Sequence, residues 1–241
     1  MLRTIADSLI GVLLAPSCVG CDRPLAEPTR GAVCARCWAG VVPFTPPLCR
    51  RCGDPLPSWR VISVASDTCP RCRRRRSAIA MSGAIGAYDG PLRRIVHALK
   101  YSGRRSLAAP LGALLRGHSA GVLAGADALV PVPLHRSRRR ARGFNQAEDL
   151  AAHLGLPLRA ALRRRRATPS QTDLPAARRH ANVRGAFALA RGADVRGLCL
   201  VLVDDVSTTG ATLESCARVL VQAGAHEVRA VTAARVVSKP R

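Results

Sequence analysis

Long apolar runs are missing from this 241-residue chain. No stretch approaches the roughly 18–20 residues that a membrane-spanning helix needs. The nearest, Thr4–Ala15, is broken by Asp7 and stops at Pro16. Arg3 followed by an apolar run also has the outline of a secretory leader, but cysteine knuckles begin directly behind it, so a soluble, cytoplasmic protein is expected. Aromatic residues are scarce, at 3%, which excludes an aromatic core and argues against an extended base-stacking surface for nucleic acid. Lysine is almost absent: of 38 basic residues, only Lys100 and Lys239 are lysines. No Gly-Lys pair occurs anywhere, so the GxxxxGK[ST] phosphate loop of nucleotide hydrolases is excluded.

Small aliphatic residues and arginine are abundant. Hydrophobic residues make up 48% of the chain, enough for a sizeable core built from Ala, Leu and Val and too many for global disorder. The length suits one large domain, or a main domain with a small appendage. The net charge of +23 is carried almost wholly by arginine and favours polyanionic partners, either phosphorylated ligands or nucleic acid.

Cysteine placement divides the chain. Eight of the ten cysteines precede residue 73, as four CxxC pairs: Cys18/Cys21, Cys34/Cys37, Cys49/Cys52 and Cys69/Cys72. Two intervening residues let both sulfurs point at one ion from a tight turn, and two such knuckles complete a tetrahedral site. Sequential pairing gives two sites for structural Zn²⁺, Cys18, Cys21, Cys34, Cys37 and Cys49, Cys52, Cys69, Cys72. The spacing also permits an interleaved pairing of the first knuckle with the third. Disulfides fit poorly with a cytoplasmic chain, and four evenly repeated knuckles suit zinc better than an iron–sulfur cluster. Residues 16–72 are rich in proline and lack hydrophobic periodicity, so metal would supply their folding energy. Cys199 and Cys216 stand alone among apolar neighbours and read as small core residues. Arg73–Arg76 reads as a solvated linker or, less readily, as a phosphate-facing patch.

From about residue 80 the pattern changes. Strands are expected over Met81–Tyr88, Ala128–Val132, Cys199–Val203 and Val228–Ala233, and helices over Leu92–Lys100, Leu107–Leu115, Asn145–Leu154 and Ala211–Ala223, the last ending at Gly224. This alternation indicates an α/β domain with a parallel sheet flanked by helices, spanning residues 81–241 behind an N-terminal region of residues 1–80. In such sheets the ligand crevice lies beyond the carboxyl ends of the strands.

The sharpest chemical signal is Val201–Thr212. A buried strand ending at Asp204 and Asp205 is followed by Val206, Ser207, Thr208, Thr209 and Gly210, then a helix carrying Thr212. Adjacent carboxylates can accept hydrogen bonds from a vicinal diol. The hydroxyls and free N–H groups of a helix start can cradle a phosphate, and glycine lets the backbone approach the anion. A ribose phosphate therefore fits. An apolar strand ending in Asp-Asp also suits a Walker B strand, but the partner loop is missing. An ordinary capped helix requires neither two carboxylates nor three consecutive hydroxyls.

This segment resembles the 5-phosphoribosyl 1-pyrophosphate (PRPP) motif of type I phosphoribosyltransferases. Leu99–Arg104, Pro131–His135, Arg142–Gln146 and the scattered match from Thr168 to Phe187, together with the CxxC pairs, resemble the ComF/GntX family, associated with bacterial competence for DNA uptake. The resemblance implies a type I phosphoribosyltransferase fold behind a double zinc ribbon. It implies that Asp204 and Asp205 act on the ribose hydroxyls, and that Val206–Gly210 with Thr212 hold the 5′-phosphate. The turn after Val132-Pro133 would hold the pyrophosphate, with His135 and Arg136 near it. Arg163–Asn182 would form a mobile hood, with Arg178, Arg179 and Arg184 meeting pyrophosphate charge. Mg²⁺ would arrive with PRPP. The remaining histidines are expected to be surface or packed residues, and Arg136–Arg142 and Arg163–Arg166 read equally well as solvated loops.

Three functions follow: a phosphoribosyltransferase with an unidentified acceptor, a non-catalytic PRPP sensor, and a zinc-containing protein handling single-stranded DNA beside DNA-uptake proteins.

Overall fold

The computed structural model describes residues 2–56, 67–166, 183 and 185–237. It opens with helix α1 (Leu2–Leu14), then two metal-knuckle units of the same plan. In each unit a tight turn carries the first CxxC pair and a short helix carries the second. Asp22 N–H closes the first turn onto the Cys18 carbonyl at 2.8 Å, and Gly53 N–H closes the other onto Cys49 at 2.7 Å. Cys34 caps α2 (Ala35–Ala39) and Cys69 caps α3 (Pro70–Arg73), so the third and fourth sulfurs of each unit project from a helical turn. Pairing is sequential: within each set, Cys18/21/34/37 and Cys49/52/69/72, the sulfurs lie within 4.8 Å of one another. That removes the interleaved alternative. Arg73–Arg76 is exposed throughout, and Arg75 and Arg76 also line a cavity shared with Ser207, Thr209 and Gly210.

The rest of the described chain runs β1 (Ser82–Ala87), α4 (Gly90–Tyr101), α5 (Ala108–His118), α6 (Ala120–Leu123), β2 (Ala128–Pro131), α7 (Arg136–Arg142), α8 (Gln146–Ala151), β3 (Leu162–Arg164), β4 (Phe187–Leu189), β5 (Cys199–Ser207), α9 (Ala211–Gln222) and β6 (Glu227–Arg235). Four strands form a sheet in the order β1-β6-β5-β2, every pair parallel. β3 and β4 pair separately and antiparallel.

β5 is apolar without alternation because both of its faces are covered. Leu200 and Leu202 pack with Leu213, Cys216 and Leu220 of α9, beside Leu162 and Phe187 of the small sheet. Val201 and Val203 turn to the other face, against Ile95 and Leu99 of α4, Leu111 of α5 and Leu150 of α8. Helices following β2 and β5 thus leave to opposite faces, which opens a crevice at the carboxyl ends of those two neighbouring strands. The outer edge of β1 is also covered. Phe44 N–H donates to the Ile85 carbonyl at 2.7 Å, and Gly86 is glycine because a Cβ there would overlap the Val42 carbonyl oxygen.

Four expectations need correction. β5 runs through Ser207 rather than ending at Val203, because β6 keeps pairing with it as far as Ser207↔Arg235. α8 is shorter than Asn145–Leu154, with Asn145 as its cap and a left-handed turn at Gly155 (φ 82°) closing the segment. The Arg136–Arg142 run is a helix rather than a loop, stopped by left-handed Gly143. In the second arginine run, Arg163 and Arg164 lie in a strand instead of a loop.

Candidate functional site

The crevice is a cavity of about 130 Å³ at the carboxyl ends of β2 and β5, lined by Asp204, Asp205, Val206, Thr208 and Thr212. Val132, Pro133 and Leu134, from the turn after β2, form one wall. Asn145 fixes that turn: it is buried, its amide donates to the Val132 carbonyl at 3.2 Å, and its oxygen caps α8 through Ala147 N–H. Four cations line the same cavity, namely Lys100 from α4, Arg138 and Arg142 from α7, and Arg164 from β3, the two α7 arginines one helical turn apart.

Strand alternation sends the neighbouring carboxylates to opposite faces of the sheet. Asp205 turns toward α4, where Lys100 Nζ lies 2.9 Å from Oδ2 and donates to Oδ1 at 3.2 Å. Oδ2 is buried and accepts no well-directed hydrogen bond, so it keeps acceptor capacity for a hydroxyl. Asp204 Oδ1 accepts from the Asp205 N–H at 2.9 Å. Burial, then the adjacent Asp205 charge, pushes the Asp204 carboxyl up to about 7, against the pull of Lys100. Burial disfavours the Lys100 ammonium, but Asp205 and then Asp204 outweigh it and hold it above the usual lysine range. The Arg142 guanidinium lies 5.1 Å above the Tyr101 ring and donates to Gln146.

The hydroxyl loop is divided between two cavities. Thr208 and Thr212 line the crevice, whereas Ser207, Thr209 and Gly210 line a second cavity of about 80 Å³, against Arg51, Cys52, Arg71 and Arg235 of the second knuckle unit and β6. Ser207 is the reason. As the last residue of β5 it is buried, and its hydroxyl accepts from Arg235. Gly210 caps α9 in the left-handed region (φ 76°) with open space where a Cβ would stand. An anion could therefore meet the α9 N–H groups directly.

His135 and Arg136 are not among the lining residues of the crevice. His135 caps α7 by accepting from Ser137 N–H, and Arg136 is exposed. Leu134 and Arg138 take the places expected for them. Arg179, like Arg178 and Arg184, lies outside the described residues, as does most of the expected hood. Cys199 and Cys216 are buried core residues, as expected.

Each cysteine set offers four sulfurs to one ion, the soft, compact donor set that zinc takes. The thiols are crowded enough to polarise one another. A hydrogen bond from Cys52 pushes Cys49 down to about 4, while the same bond raises Cys52. A divalent cation relieves this crowding by taking all four as thiolates.

Residues 9–73 match the double zinc ribbon domain family, and residues 140–241 match the phosphoribosyl transferase domain family. The DNA utilization protein YhgH of Salmonella typhimurium is 35% identical over 223 residues, covering 88% of this chain and 93% of that protein. The chain belongs to the ComF family. Competence protein F of Haemophilus influenzae, another relative, is 29% identical over 226 residues, with the same coverage of 88% and 93%. Among solved structures, a glutamine PRPP amidotransferase from B. subtilis is 28% identical over 53% of this chain and 26% of that one, with a TM-score of 0.36. The ComF chain thus carries two structural zinc sites in a double ribbon, ahead of a type I phosphoribosyltransferase-like parallel sheet.

Sequence reasoning did not assign Lys100, Arg138, Arg142 or Arg164 to the crevice. Lys100 had a usable signal, because a lysine in so arginine-rich a chain is conspicuous. The arginines had none, since nothing in a basic run says which members turn inward.

Proposed function

We propose that the crevice binds PRPP as its magnesium complex and transfers the phosphoribosyl group to a nucleophilic acceptor. One observation carries this reading: two adjacent carboxylates, a hydroxyl-bearing helix start and four cations line a single cavity. Asp204 and Asp205 accept from the ribose 2- and 3-hydroxyls. Thr208 and Thr212, with N–H groups of the first turn of α9, take the 5′-phosphate, and Ser207 and Thr209 support the loop from behind, Thr209 by accepting from the Ala211 N–H at 3.4 Å. Lys100, Arg138, Arg142 and Arg164 face the pyrophosphate. Mg²⁺ arriving with PRPP would neutralise part of the pyrophosphate charge, with Asp204 and Asp205 the nearest acidic groups to help hold it. As the C1–O bond breaks, C1 gains oxocarbenium character and charge accumulates on the departing pyrophosphate, where the cations stabilise it.

Calorimetric titration of PRPP with Mg²⁺ into wild type and an Asp204→Asn/Asp205→Asn double variant tests the site. Binding that is lost in the variant supports it, and no binding to folded, zinc-loaded wild type overturns it. Pyrophosphate release on adding acceptors distinguishes a transferase from a sensor that binds without turnover.

Handling of single-stranded DNA is a second reading, favoured by the +23 charge and by the exposed arginines Arg136 and Arg140 of α7, beside Arg139, which pairs with Glu148. The names of the relatives, DNA utilization and competence proteins, point the same way. Phosphate contacts would dominate, so retention of a labelled single strand should fall steeply with salt and survive the Asp204/Asp205 double substitution. Salt-independent retention, or none, would count against it.

A further inference from the structure

The second zinc ribbon reaches the phosphate loop through a continuous chain of charged contacts. Asp54 lies two residues beyond the ligand Cys52, and Arg71 sits between the ligands Cys69 and Cys72. Arg71 Nη2 donates to Asp54 Oδ2 at 2.8 Å, and Asp54 Oδ1 accepts from Arg235 Nε. Arg235 ends β6 with its side chain only 6% exposed, and its Nη1 donates at 3.0 Å to the hydroxyl of Ser207, which ends β5. Thr208, Thr209 and Gly210 follow directly. The backbone makes a parallel link from the same knuckle to the sheet: Ser82 N–H donates to the Arg50 carbonyl at 3.0 Å, and the Ser82 hydroxyl to the Arg51 carbonyl at 2.9 Å.

A guanidinium this deeply buried is costly unless its partners are fixed. Here one partner belongs to a metal knuckle and the other to the loop that would hold the 5′-phosphate. The first ribbon offers a built-in contrast. Its knuckle carboxylate, Asp22, follows the ligand Cys21, yet it is 80% exposed and pairs at 3.0 Å with Arg94, itself 57% exposed. Such a pair is screened by solvent and fixes little.

We propose that Asp54 and Arg235 are positioning residues through which the second zinc site holds the phosphate loop in its binding geometry. The role in ligand binding rests on the PRPP reading above; the role in loop geometry does not. The relay places metal occupancy upstream of the loop, since Asp54 and Arg71 are held in register by the four cysteines around them.

The test uses full-length, zinc-loaded protein and two readouts, hydrogen exchange of the amides at residues 208–211 without ligand, and calorimetric affinity for PRPP with Mg²⁺. Asp54→Asn and Arg235→Gln are each expected to retain two zinc ions, to speed loop exchange at least tenfold while the amides of β5 and β6 stay protected, and to weaken PRPP at least tenfold. Asp54→Glu should recover part of both losses. Asp22→Asn should change neither. Unchanged loop exchange and PRPP affinity in both Asp54→Asn and Arg235→Gln would overturn the proposal. Should Asp54→Asn lose zinc, Arg235→Gln decides, because it alters no ribbon residue. Should wild type fail to bind PRPP, the proposed function falls and loop exchange alone decides the positioning role.

Discussion

Lys100 places its ammonium 2.9 Å from Oδ2 of the buried Asp205, the two side chains 20% and 4% exposed. It is the only lysine among the described residues of a chain otherwise furnished with arginine. A compact ammonium with three rotatable donors can serve two neighbouring carboxylates and then swing to an incoming anion. A planar guanidinium would lock onto one of them. Lys100→Met leaves Asp205 buried without its cation and is expected to cost about 3 kcal/mol of stability, measured by urea unfolding at neutral pH. A loss below about 1 kcal/mol would mean that the pair is screened like a surface one.

The raised Asp204 carboxyl gives two opposite pH trends. An ordinary unfolded carboxyl titrates near pH 4, whereas Asp204 does so at about 7 in the folded chain. The native state therefore binds this proton more tightly. Its contribution to stability is fully present below about pH 4 and is lost as pH rises through 7, so the ligand-free protein should lose about 1 kcal/mol between pH 6 and 8. PRPP affinity should move the other way, rising about tenfold over the same interval as the carboxylate form becomes available to the ribose hydroxyls. Calorimetry at both pH values checks this against Asp204→Asn, in which the trend attributable to this group should vanish. A slope that persists unchanged in the variant would assign it to another group.

Removal of metal has a counted outcome. Treatment with a strong chelator should release two zinc ions per chain, one from each four-cysteine set, with loss of the ribbons' ordered structure in circular dichroism. Release of one ion per chain would show that one cluster is a thiol group of another kind.

Gly210→Ala separates strain from ligand approach. The residue sits at φ 76° with nothing near the added Cβ, so the backbone penalty should be about 1 kcal/mol. Because the Cβ would project at the helix start, PRPP affinity should fall further than stability does. Equal losses, compared by calorimetry and thermal unfolding, would leave Gly210 a turn residue and nothing more.

The sheet strands were legible because β1, β2, β5 and β6 are short apolar runs with helices between them, and the metal units were legible because CxxC spacing is nearly a coordinate. The two sulfur sets needed the fold, since spacing alone permits either partner for the first knuckle. The division of the hydroxyl loop was not legible. Ser207 reads as one more phosphate-facing hydroxyl until its pairing with Arg235 across the ladder is seen. His135 was misplaced for a related reason: a residue beside a turn can cap the following helix instead of facing the cavity, and local sequence does not separate the two. Contacts between distant segments, such as Asp54 with Arg235, are set by packing and leave no local trace.

The segment Val42–Phe44, which covers the free edge of β1, comes from between the two ribbons. Its position therefore depends on metal bound on either side. A chain synthesised under zinc starvation would present Ser82–Ala87, an uncharged strand, with one row of amides and carbonyls unpaired. Such edges recruit one another. Metal supply then governs the colloidal fate of the whole protein, and the first sign of its failure would be insoluble chain.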